Sequence, residues 1–115
     1  MQYFKEKEFT MGGEPCFDKM NPVLLKELDC LREYVGKSFI ITSSYRDKEY
    51  NKKVNGHKNS QHILGNAVDL STEHFKGKHK ARLVSMALNS GLSVGVSKNF
   101  IHIDCRNTGS VVWGY

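Results

Sequence analysis

No apolar run in the chain comes near the ~20 residues that span a bilayer, and residues 1–11 carry charges where an export signal would be apolar. Stable membrane insertion is therefore not expected, and synthesis in the cytoplasm is. Cysteine is scarce as well. Cys16, Cys30 and Cys105 are odd in number, far apart and in no C-x-x-C pair, which argues against a full disulfide framework and against a cysteine zinc site. Two prolines and no low-complexity tract make fibrous or disordered structure a poor reading. Basic residues outnumber acidic ones, 17 against 12, but they are scattered over the whole chain, without a block or interleaved aromatics. A solvated surface explains them better than a nucleic-acid site, so no nucleic-acid partner is expected.

What is present is the composition of a chain that folds. With 115 residues, 39% hydrophobic and 25% charged, it is long enough for one modest core. A single domain over residues 1–115 is expected, acting as a monomer. Asn21 before Pro22 is a cap with proline at the first helical position, and Leu24, Leu25, Leu28, Leu31, Tyr34 and Val35 recur at helical spacing up to Gly36. A helix over 22–35 follows. Residues 38–43, with Phe39, Ile40, Ile41 and Thr42, read as a buried strand. Asp47 caps a short helix to about residue 54, and 55–61 is a polar loop containing Gly56.

Residues 67–70 read as a second strand and 78–90 as an amphipathic helix ended by Gly91. Three short β-prone segments, 93–96, 100–104 and 111–113, then suggest an antiparallel meander. The fold class expected is α+β: a small, mostly antiparallel sheet with two or three helices on one face and the other face open for a site.

Chemistry concentrates in two places. In Phe100-Ile101-His102-Ile103-Asp104 the strand period of two sends Ile101 and Ile103 to the core and leaves His102 and Asp104 together on the outer face. Taken alone, that pair decorates a solvated strand more readily than it forms a site. In Ser60-Gln61-His62-Ile63-Leu64-Gly65-Asn66-Ala67-Val68-Asp69, Gly65 permits a turn that folds His62 back toward Asp69, and the small Ala67 on the same strand face leaves room beside it. Two histidines and a carboxylate are a zinc ligand set that leaves a fourth position for water, as catalytic rather than structural sites do.

Those runs, preceded by Thr42-Ser43-Ser44-Tyr45-Arg46, resemble the D-alanyl-D-alanine carboxypeptidase family of zinc peptidases from Phe9 to Trp113. The family includes vancomycin-resistance dipeptidases and the L-alanyl-D-glutamate endopeptidases of phage endolysins, and the hedgehog signalling domain shares its fold. The resemblance implies zinc held by His62, Asp69 and His102. It also implies Ser60 beside the substrate backbone and Arg46 facing a substrate carboxylate or the developing oxyanion, a task that suits a planar guanidinium. Tyr45, next to Arg46, is expected to touch substrate.

Several members carry an acid three residues before the last histidine ligand, where this chain has Asn99. Asp104 is the alternative general base; its other reading is as an acceptor for the ring N–H of a ligating histidine. The expected activity is hydrolysis of peptide bonds in peptidoglycan stem peptides, of D,D-carboxypeptidase or L-alanyl-D-glutamate endopeptidase type. Without a visible export signal, this fits a phage or prophage lysis enzyme that reaches the cell wall after release. The alternative is a zinc-binding but inactive hedgehog-like recognition domain.

Overall fold

The first long helix begins and ends by local rules. The Asn21 side chain accepts a hydrogen bond from the Val23 N–H, Pro22 takes the first helical position, and Gly36 closes the helix in the left-handed region at φ 71°. The computed structural model describes residues 2–115. In chain order it contains β1 (Thr10–Met11), β2 (Glu14–Pro15), α1 (Pro22–Val35), β3 (Ile40–Ser43), α2 (Lys48–Lys53), β4 (Ala67–Ser71), α3 (Gly77–Asn89), β5 (Ser93–Val96), β6 (Phe100–Asp104) and β7 (Val112–Gly114).

β1 and β2 form a small hairpin, and the other strands form one sheet in the order β3-β4-β6-β5-β7. Leu24, Leu28 and Leu31 of α1 and Leu83 and Ala87 of α3 share one buried cluster with Val68, Leu70, Val94, Ile101 and Ile103 of the sheet. This is the expected alternation: inward residues of the central strands meet the apolar stripes of two helices, and the intervening residues face the other way. The architecture is α+β, as the patterning indicates. Among the described residues no helix is long and apolar enough to cross a membrane.

Two expectations are corrected by the pairing. The last three strands are not an antiparallel meander: β5 pairs antiparallel with β6, but β7 runs parallel to β5 on its far side. Residues between β6 and β7 carry the chain past β5 to the free edge, a crossover that strand patterning does not encode. The strand at 38–43 is shorter than expected and lies at the opposite edge of the sheet, so Ile40 is half exposed, at 52%, rather than buried. The segment read as loop up to residue 61 gives way to a 3-10 turn over Gln61–Leu64.

Register places one residue from each strand in a single row across the sheet: Ser43, Asp69, His102, Gly95 and Trp113. None of these five belongs to the buried apolar cluster.

Candidate metal centre

His62 reaches this row from the 3-10 turn. Ser60 starts that turn, its hydroxyl accepting a hydrogen bond from the His62 N–H at 3.2 Å, and Gly65 ends it in the left-handed region at φ 72°. Gly65 is pressed against the start of α1, where its carbonyl accepts from the Asn21 N–H at 2.9 Å and a Cβ would overlap the Lys19 carbonyl oxygen. The Arg46 N–H donates to the His62 carbonyl at 3.0 Å, tying the exit of β3 to the same turn. His62 is thereby held over β4, although it lies seven positions before Asp69 in the chain.

His62, Asp69 and His102 each offer a ligand atom, and these atoms lie within 4.8 Å of one another. Each ring has its proton placed by a fixed acceptor. His62 Nδ1 lies 2.6 Å from the Ser44 carbonyl oxygen, which can only accept, so Nδ1 carries the hydrogen and Nε2 is left facing Asp69 at 3.3 Å. His102 Nε2 lies 2.8 Å from Asp104 Oδ2, which leaves Nδ1 facing Asp69 Oδ1 at 2.9 Å. Two imidazole nitrogens and a carboxylate oxygen thus converge, each ring oriented from behind by an oxygen acceptor, which is the chemistry a zinc ion requires.

Charge at the centre is balanced in the protein itself. Burial pushes the Asp69 carboxyl upward, but hydrogen bonds with His102 and His62 outweigh it and hold the group well below the usual carboxylate range. Burial disfavours a charged His102, yet hydrogen bonds to Asp104 and Asp69 outweigh that and raise its pKa above the ordinary 6.5. Asp104 is also pushed up by burial, and Arg106 and then His102 bring it down to about 2.

Arg46 occupies the other side of Asp69, with Nη2 3.6 Å from Oδ2. Its Nε donates to Ser43 Oγ at 3.1 Å and its Nη1 to Asn51 Oδ1 at 3.2 Å. Asn51 is buried and donates in turn to the His57 carbonyl at 2.9 Å; Gly56 lies so close that a Cβ there would overlap the Asn51 amide.

A cavity of about 710 Å³ opens over this centre, within the usual range for a ligand site. Arg46, Ser60, His62, Asp69 and His102 all line it. Tyr45 does not; it packs against the core cluster, half buried. Asp104 does not line it either: it is fully buried, and both of its oxygens are bonded to Arg106. Sequence reasoning did not single out Asn51, Arg106, Trp113 or Tyr115 for the site. The last three also line the cavity, brought there by the crossover to β7. Their signal was faint, an arginine and two aromatics near the end of the chain, whose partners on the sheet depend on the crossover. Asn99 is exposed and contributes its carbonyl to the Thr72 N–H at 2.9 Å.

Residues 2–104 match the family model for Peptidase M15. The chain belongs to the M15 peptidases. A comparison with curated proteins found no match. M15 peptidases are zinc-dependent metallopeptidases, and the His-Asp-His cluster of this one is a group that could hold the metal. For this M15 chain a pH effect on metal binding follows. A proton and a metal ion compete for Nδ1 of His102, and the hydrogen bonds to Asp104 and Asp69 make the metal-free ring hold its proton more firmly than an ordinary imidazole does. Zinc affinity measured by chelator competition is therefore expected to fall as pH drops below the point where the metal-free His102 takes up its proton, by about tenfold per pH unit for each proton displaced. A flat profile would mean that His102 is not a ligand.

Proposed function

We propose that the chain is a zinc peptidase that hydrolyses peptide bonds in peptidoglycan stem peptides. The observation that carries this reading is the convergence of His62, Asp69 and His102 with the Arg46 guanidinium in one cavity of an M15 chain. When bound there, zinc supplies Lewis acidity, lowering the pKa of water and polarising a carbonyl.

The protein's own groups do the rest. Arg46, anchored by Ser43 and Asn51, presents a fixed positive charge to a substrate carboxylate or to the oxyanion that develops at the attacked carbonyl. Ser60 stands at the cavity wall, where its backbone and hydroxyl can align an extended peptide. Asp104, with no exposure and with both oxygens engaged, acts by holding the proton on His102 Nε2 rather than by taking one from water. The basic surface, net charge +5, favours approach to the anionic wall and makes association salt-sensitive.

A second reading, a zinc-bound recognition domain without activity, is favoured by one observation. Among the described residues, Asp69 is the one carboxylate that lines the cavity, and it is itself a candidate ligand.

The test is incubation of the zinc-loaded protein with purified peptidoglycan and with synthetic stem peptides, products being identified by mass. Cleavage that stops with chelator and returns with added zinc is expected, and the product masses name the bond. Tight binding of stem peptide by the zinc-loaded protein with no cleavage would replace the enzyme reading by the recognition reading.

A further inference from the structure

Gly95 stands between His102 and Trp113 in the row that crosses the sheet. It is buried, and a Cβ built on it would lie 2.6 Å from Trp113 Cε2, so the indole occupies the space that a side chain at position 95 would fill. Lying across β5 in this way, the indole comes to 5.3 Å from the His102 ring, centroid to centroid. Its face also receives a cation: the Arg106 guanidinium carbon is 5.0 Å from the ring centroid.

Arg106 is oriented from its other side by Asp104. Its Nε donates to Oδ1 at 2.9 Å, its Nη2 to Oδ2 at 2.6 Å, and its backbone N–H to Oδ1 at 3.1 Å. The Oδ2 atom is the one that accepts from His102 Nε2. A closed circuit results, His102 to Asp104 to Arg106 to Trp113 and back to His102, with the indole seated on Gly95. Arg106 and Trp113 lie beyond the residues 2–104 matched by the family model, and both line the cavity.

We propose that Arg106 and Trp113, seated by Gly95, are positioning residues for the metal centre, fixing the rotamer and tautomer of His102 through Asp104 and through direct ring packing. The proposal rests on the reading of His102 as a metal ligand. Its physical basis is that an imidazole ligand gains affinity when its second nitrogen is held by an oriented carboxylate, and that such a carboxylate keeps its direction only if something fixes it in turn. A bidentate guanidinium stacked on an indole does so; a lysine there would supply charge without the planar fork.

The test uses zinc alone as the probe, its affinity measured by chelator competition on the full chain. Nitrogen NMR of the histidine rings reports the His102 tautomer. Trp113→Ala and Arg106→Gln are expected to weaken zinc binding about 10- to 100-fold and to broaden or shift the His102 Nε2–H signal. Trp113→Phe, which keeps a ring over Gly95, should recover most of the loss. Arg106→Lys should recover little. Gly95→Ala, by displacing the indole, should move affinity in the same direction as Trp113→Ala.

If Trp113→Ala fails to fold, the Arg106→Gln and Arg106→Lys pair carries the test, because that side chain is partly exposed. Wild type that binds one zinc, with variants that bind it equally tightly, would overturn the proposal and leave the zinc-peptidase reading standing. Wild type that binds no zinc would instead overturn that reading, and this proposal with it.

Discussion

His62→Ala and His102→Ala are each expected to strip the purified protein of zinc and to take stem-peptide hydrolysis below detection. The cluster has three candidate ligands, each from a different segment: His62 from the 3-10 turn, Asp69 from β4 and His102 from β6. Removing one leaves two, fewer than the three protein ligands of catalytic zinc sites, so the loss should exceed the ~10- to 100-fold that follows when only an outer partner is removed. Folding should survive. The His62 ring is buried and its Nδ1 serves the Ser44 carbonyl, so alanine costs about 1–3 kcal/mol for the acceptor left without a partner, plus lost packing. Metal content after desalting and circular dichroism on the same samples separate the two effects. A folded His102→Ala protein that keeps one zinc per chain would show that the centre lies elsewhere.

Gly65→Ala is expected to be strongly destabilising. The left-handed φ of 72° alone costs an alanine about 1–2 kcal/mol, and the added carbon would overlap the backbone carbonyl of Lys19, which no rotamer can relieve. A loss of about 3 kcal/mol or more is expected, or roughly 10 °C in the midpoint of thermal unfolding, together with weaker zinc binding because the turn carrying His62 must move. Gly36→Ala is the matched control. Its φ is nearly the same, 71°, but nothing lies within 4 Å of the added carbon, so only the conformational cost of about 1–2 kcal/mol should appear. Equal losses for the two variants would mean that docking against Lys19 contributes nothing.

Much of the site was legible because short-range rules set it. Asn21-Pro22 and Gly36 bound α1 where capping predicts, and the alternation in Phe100-Ile101-His102-Ile103-Asp104 puts both isoleucines in the core and His102 on the cavity side. The turn at Gly65 and the motif resemblance directed attention to His62 and Asp69, and the structure brings both to His102. Asp104 shows where the strand period stops being informative. It shares a face with His102 as the period requires, yet it is fully buried because Arg106, two residues on, folds back over both of its oxygens. A period of two assigns a face; it does not say what covers that face.

Tyr45 illustrates the same limit from the other side. Adjacent in sequence to Arg46, it packs on the core while Arg46 turns to the cavity, where Ser43 and Asn51 hold its guanidinium.

The class of fold, the bounds of the main helices and central strands, and the residue types able to bind a metal could all be read along the chain. These depend on interactions between residues a few positions apart, or on apolar periodicity, and both are written locally. That β7 adds parallel to β5, that Gly95 yields its space to Trp113, and that Arg106 closes over Asp104 behind His102 came from the packed fold. Those outcomes depend on which sheet edge the chain reaches after its last crossover and on which side chain fills an empty position. Both follow from packing between segments distant along the chain, where no short-range pattern records the partner.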